Sequence, residues 1–201
     1  MTQQMSITTF VNDIEDAELE ITIAKVKEIF KHFNWKRFYK KHSRWIHNSN
    51  IHKQLKNLGF SLIGSGVSRE VYGNNKYVVK IEVHGQDWGH RWLEQNKEEL
   101  LNYFNLPEKA KDYFPKIYAY DNPTHPHWLV VERAKVDSDK DSHGIDWCEI
   151  VNQIKEIFDN LQIEVNDMHT SNVGLIGTRP VMIDYGFKDY FSKTKKSDRE
   201  C

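Results

Sequence analysis

Cysteine is nearly missing from this 201-residue chain, with Cys148 and the final Cys201 its only two. Two thiols cannot build a disulfide framework, so a reduced, cytoplasmic protein is expected. Neither charge is in excess: 28 Lys plus Arg stand against 29 Asp plus Glu, for a formal net charge of -1. That balance excludes a global pull toward nucleic acid or membrane, so any such pull must be local. No run of about 18 apolar residues occurs, and the opening MTQQMSITTFVNDIEDAELE has neither a basic start nor an apolar stretch. Neither an export signal nor a membrane-spanning segment is therefore expected. Internal repeats and low-complexity stretches are lacking, and no nucleophile elbow points to a Ser/His/Asp hydrolase. His125, His127, His143 and Cys148 crowd together in sequence, but their spacing matches no common structural zinc pattern. A chain of this length fits one domain with a helical extension and can bury a core of its own.

Glycine and proline are absent before Gly59. Ile23, Val26, Phe30 and Phe33 recur at helical spacing in that stretch, so residues 9–57 read as helical and 1–57 as an N-terminal helical extension. Its start is acidic, whereas no Asp or Glu occurs from Ile29 to Arg69. In that gap Lys31, Lys36, Arg37, Lys40, Lys41, Arg44, Lys53 and Lys56 interleave with Trp35, Phe38, Tyr39 and Trp45. Two readings stand for the segment Lys31–Lys56. Basic and aromatic side chains together can hold nucleic acid by phosphate contact and base stacking. The plainer alternative is an amphipathic helix with its rings inward and its basic face in water.

From Phe60 the pattern turns to short strands, FSLIGSG, SREVYG and KYVVKIEV, followed by a polar helix, DWGHRWLEQNKEELLNYF. PKIYAYD and HWLVVERAKV read as two more strands around the turn DNPTHP, and DSDKDSHG as a loop. Ile150, Val151, Ile154, Ile157, Phe158 and Leu161 then mark one amphipathic helix, and the tail KTKKSDREC is polar.

The stretch VNDMHTSNVGLIGTRPVMIDYGF carries the chemistry. Asp167, Asn172 and Asp184 are hard oxygen donors on loops beside short apolar runs, a set that suits Mg²⁺. Asp184 follows VMI and precedes YGF, so a strand delivers it to a turn where Gly186 permits unusual dihedrals. Asp167 is placed to accept a proton or orient a hydroxyl. Upstream, the glycine pair of LIGSGVSREVYG lets the backbone close over a phosphate chain. Lys80, inside YVVKIEV, is costly to bury without an anionic partner, and a triphosphate or a carboxylate of the next helix would serve. Of Glu94, Glu98 and Glu99 on that helix, Glu99 shares a face with Trp92, Asn96 and Tyr103 and is the best candidate, with Glu98 next.

In this order GSGVSR, Lys80, a helical Glu, LVVERA, DMHTSN and IDYGF resemble the protein kinase-like superfamily, across roughly residues 58–188. The stretches LGFSLIGSGVSREVYGNNKYVVKIE and DMHTSNVGL are similar to early serine/threonine protein kinases and related kinase-like proteins of tailed bacteriophages. The resemblance implies an α+β, two-lobed fold. Its parts would be the helical extension (1–57), an N-lobe of a five-stranded sheet plus one helix with the hinge (58–134), and a reduced C-lobe (135–201). It further implies that Gly64, Ser65, Gly66 and Ser68 cover the phosphates of ATP, and that Lys80 contacts them while pairing with Glu99. Val131 would lie behind the adenine, with the backbone of Glu132 and Ala134 at its polar edge. Asp167 would be the catalytic base and Asn172 and Asp184 the Mg²⁺ ligands, with His169 orienting the loop.

Three departures qualify this pattern. Arg69 stands where the third glycine of the nucleotide loop is usual, and Val165 and Asn166 replace the His-Arg before the catalytic Asp. Only residues 185–201 follow Asp184, which leaves no room for the helices that bind protein substrates and implies a truncated C-terminal lobe. The N-terminal extension either packs where those helices would lie or binds a partner. The function implied is an ATP- and Mg-dependent phosphotransferase, most simply a small serine/threonine protein kinase acting on a host protein or on itself in a bacterial cytoplasm. Two alternatives are a kinase-like nucleotide-binding protein that sequesters a host partner, and a small-molecule phosphotransferase.

Overall fold

The structure is a computed structural model. It describes residues 17–40, 49–66, 68–83, 94–163, 165 and 168–186, except the side chains of Arg37 and Lys40.

Three helices come first: α1 (Ala17–Lys31), α2 (Trp35–Lys40) and α3 (Asn50–Asn57). In α1 Leu19, Ile23, Val26 and Phe30 form a buried stripe at helical spacing, each contributing roughly 1.5–3 kcal/mol of burial. The stretch read as helical is interrupted at residues 32–34, where no Gly or Pro stands. Aromatic packing explains the break, since an unbroken helix would turn Trp35 well away from Phe30. The bend instead stacks the two rings at 5.5 Å, with Phe33 edge-on to Trp35 at 4.6 Å. Ser49 caps α3 by accepting from Ile51 N–H at 3.2 Å, and Gly59, at φ +84°, adopts the left-handed turn that releases the chain into the sheet.

The strands are β1 (Ser61–Ser65), β2 (Arg69–Gly73), β3 (Tyr77–Glu82), β4 (Ile117–Tyr120) and β5 (Trp128–Glu132). They form one antiparallel sheet in the order β1-β2-β3-β5-β4. Between β3 and β4 lie α4 (Gln95–Asn105) and the short α5 (Glu108–Lys111). The described part of the helix expected over DWGHRWLEQNKEELLNYF thus begins at Gln95, and its first residues lie outside the described region. Beyond β5 comes α6 (Trp147–Leu161), whose N-cap Asp146 accepts from the Cys148 and Glu149 amides at 3.1 Å. The hairpin β6 (Val173–Ile176) and β7 (Arg179–Met182) follows, turning at Gly177 with φ +64°. The α+β class expected from the sequence is the one found, with two helices, α4 and α5, between β3 and β4 where one was expected.

Strand alternation sorts the core into two layers. On one face of the sheet Tyr72, Tyr77, Val79, Ile81, Trp128 and Val130 pack under α1–α3. On the other, Val78, Leu129 and Val131 pack with α4, α6 and the β6–β7 hairpin through Leu100, Tyr103, Ile154, Phe158, Val173 and Met182. The helical extension therefore covers the outer face of the sheet. Its rings are part of that core: Phe30 and Phe38 are buried, and Trp35 stacks on His127 at 4.4 Å. These aromatic faces are engaged by the protein itself rather than offered to bases. Among the described residues no helix is long and apolar enough to cross a membrane.

Candidate functional site

The central strand β3 presents Lys80 on the face opposite the helical extension, where α4 lies across the sheet. Burying an ammonium requires a counter-charge, and Glu99, on the inward face of α4 and 1% exposed, supplies it. Lys80 Nζ donates to Glu99 Oε1 at 2.5 Å and to the carbonyl of Ile183 at 2.7 Å. Burial lowers the pKa of this ammonium, with Glu99 opposing. Glu94 pairs instead with Lys97, partly in water.

Ile183 precedes Asp184, so the second contact fixes β3 to the chain that carries the predicted metal ligand. Asp184 is partly open, its side chain 33% exposed. Its Oδ1 accepts from Arg69 Nη2 at 2.6 Å and from Gln95 Nε2 at 3.3 Å. Arg69, the first residue of β2, also donates through Nη1 to Glu99 Oε2. One guanidinium thus bridges the helical glutamate and Asp184. Burial works against its charge, but Asp184 and then Glu99 outweigh burial and raise its pKa. Two cations and two carboxylates share the cluster, so these carboxylates are compensated by the protein's own side chains.

Asn172 ends a short 3-10 turn, buried at 7% exposure, and its carbonyl accepts from Ile183 N–H at 2.9 Å. The two predicted metal ligands therefore stand on neighbouring chain segments. Asn172 Nδ2 donates to His169 Nε2 at 2.9 Å, which turns the amide oxygen away from the imidazole. Asp167, the predicted base, lies outside the described residues.

The predicted nucleotide loop is closed by Gly66 N–H donating to Arg69 O at 2.8 Å. Ser65 is exposed beside it, whereas Ser68 is buried and donates its hydroxyl to Gln95. Ser68 thereby ties the loop to the start of α4. At the predicted hinge Val131 is buried, and the amides of Glu132, Arg133 and Lys135 donate to Lys116, Lys76 and Leu175 carbonyls. The N–H of Ala134, itself 5% exposed, has no acceptor among the described residues. An orphan donor of this kind is costly and suits a ligand's polar edge. Gly186 takes no positive φ; a Cβ there would lie 2.5 Å from Gln95 O, so glycine is required by close approach to α4 rather than by unusual dihedrals.

Sequence reasoning missed Arg69 and Gln95 as members of this cluster. The available signal was an arginine opening a five-residue strand directly after the glycine pair, where a solvent-facing cation has little reason to stand.

No protein-family model and no curated protein matches the sequence. Similar solved structures include three of WbdD. One, with the kinase inhibitor LY294002, is 18% identical at TM-score 0.45 and covers 61% of this chain and 31% of that one. Another, described as the bifunctional kinase-methyltransferase, is 22% identical at TM-score 0.42 with the same coverage. The third, with an ordered C-terminal bundle, is 22% identical at TM-score 0.45 and covers 63% of this chain and 29% of that one. The chain thus spans about a third of the length of these structures. Likenesses this distant say nothing of what this chain acts on.

Proposed function

We propose that this chain is an ATP- and Mg-dependent phosphotransferase of the kinase-like kind, passing a phosphoryl group to a Ser or Thr hydroxyl of a host protein or of itself, in the cytoplasm. The observation that carries the reading is the Lys80–Glu99 pair at 2.5 Å whose ammonium also reaches Ile183, the neighbour of Asp184. Phosphoryl transfer asks the protein mainly for positioning and charge neutralisation, and this cluster supplies both.

The residues fit the two groups the reaction needs. Ala134 N–H and the backbone of Glu132 would meet the adenine edge, with Val131 and the half-buried Val71 and Leu175 against its faces. Gly64, Ser65 and Gly66 would lie over the phosphates, and Lys80 would donate to them without leaving Glu99. Asn172 and Asp184 offer the hard oxygens that Mg²⁺ prefers. Bound there, the ion would neutralise charge on the transferred group. Asp167 would take the acceptor's proton or orient its hydroxyl. That bond rearrangement is balanced: the acceptor oxygen joins the terminal phosphorus, the bridging oxygen leaves with ADP, and one proton is released.

The Arg69–Asp184 ion pair at 2.6 Å favours a second reading, a nucleotide-binding protein that does not transfer phosphate, because a cation of the chain already sits on the metal carboxylate. Incubation with terminally labelled ATP and mixed protein acceptors separates the two. Label transfer that is lost in Asp167→Ala supports the enzyme. Tight ATP binding with no transfer to any acceptor, the chain itself included, refutes it.

A further inference from the structure

The site holds one cation that the kinase-like pattern does not ask for. Arg69 has its side chain 5% exposed, with Nη1 on Glu99 and Nη2 on Asp184 Oδ1 at 2.6 Å. Gln95 Nε2 meets the same Oδ1 at 3.3 Å. One carboxylate oxygen has two in-plane lone pairs, and both of these are used. Asp184 Oδ2 accepts no hydrogen bond from the described residues, and a metal ion can approach only an oxygen whose lone pair is open.

Arg69 is held where it is. Its carbonyl closes the nucleotide loop by accepting from Gly66 N–H at 2.8 Å, and it pairs with Glu82 in the β2–β3 ladder. Withdrawal would leave Glu99 Oε2, in a side chain 1% exposed, without the donor it has. A guanidinium cannot shed its proton to ease the move. The charges of Lys80 and Arg69 already balance those of Glu99 and Asp184, so a divalent ion arriving alone finds no net negative charge to hold it, whereas one arriving with a triphosphate brings its own counter-charge.

We propose that Arg69 is a positioning residue that reserves Asp184 Oδ1, so that the site takes one divalent cation per chain and takes it only together with nucleotide. The inference rests on the phosphotransferase reading above. Its test is a Mn²⁺ titration followed by the paramagnetic resonance signal of free Mn²⁺, with and without one equivalent of the non-hydrolysable β,γ-methylene analogue of ATP, the Mn²⁺ taken by the analogue alone being subtracted. Wild type is expected to bind one ion with the analogue and none without it, and Arg69→Gln to bind two with the analogue. Where Arg69→Gln does not fold, Arg69→Lys replaces it, because one ammonium cannot span both carboxylates as the guanidinium fork does. Two ions on wild type, an ion bound without analogue, or equal stoichiometry in wild type and variant would each overturn the role of Arg69. Failure of wild type to bind Mn²⁺ with the analogue would instead overturn the phosphotransferase reading, and this inference with it.

Discussion

Changing Glu82 to Gln probes the electrostatics of the sheet beneath the site. Glu82 ends β3 opposite Arg69 and is 7% exposed, with Oε1 lacking a donor among the described residues. Burial pushes its pKa from 4.5 to about 8, against the pull of Arg69 and of the Asn96 and Gln95 amides at the start of α4. The folded protein therefore keeps a proton over a range in which the unfolded chain has lost it. The stability this group contributes is full below pH 4.5, declines as pH rises and is gone above about 8. Across that interval, at roughly 1.4 kcal/mol per pH unit, the loss comes to about 5 kcal/mol. A glutamine keeps the shape and stays neutral. In urea unfolding from about pH 4 to about pH 9, Glu82→Gln should match wild type at the acid end and gain up to about 5 kcal/mol at the alkaline end. In thermal melts the alkaline gain corresponds to roughly 10–20 °C for a chain of this size. A difference between the two proteins that does not change with pH would refute the reasoning. So would a glutamine variant less stable at alkaline pH, which would mean that the carboxylate serves charged beside Arg69.

Glu99→Gln leaves Lys80 and Arg69 facing each other without their shared anion, and should lower stability by about 3–5 kcal/mol in urea unfolding; unfolding within about 1 kcal/mol of wild type would contradict the pairing. Gly186→Ala would place a Cβ 2.5 Å from Gln95 O and 2.8 Å from Gln95 Cγ, displacing the start of α4 from Asp184. It should cost about 1–3 kcal/mol in the same assay, and an unchanged midpoint would mean that this approach is not tight.

How much of this was legible in the sequence follows from which periodicities reach which residues. Lys80 inside an apolar strand and Glu99 on the inward face of a helix are both fixed by local repeat, so their meeting could be anticipated. The core stripe Ile23, Val26, Phe30 is of the same kind. The break after α1 was not legible, because no Gly or Pro marks it and the ring stack that imposes it joins Phe30 to Trp35 and to Trp128 across the fold. Arg69 was read as a missing glycine. Its two carboxylate partners lie 30 and 115 positions away, and nothing in the neighbourhood of β2 announces them. Gly186 was read for its backbone freedom, whereas its reason is the proximity of Gln95, again a long-range fact.

The most direct measurement of the central claim is thermal stabilisation by ATP, with and without Mg²⁺, in wild type and in Asp184→Asn. If Lys80, Glu99, Asn172 and Asp184 surround a magnesium-bound triphosphate, ATP with Mg²⁺ raises the wild-type midpoint well above ATP alone, and Asp184→Asn removes that increment while keeping the fold. A midpoint indifferent to ATP, or an increment from Mg²⁺ that persists in Asp184→Asn, would contradict it.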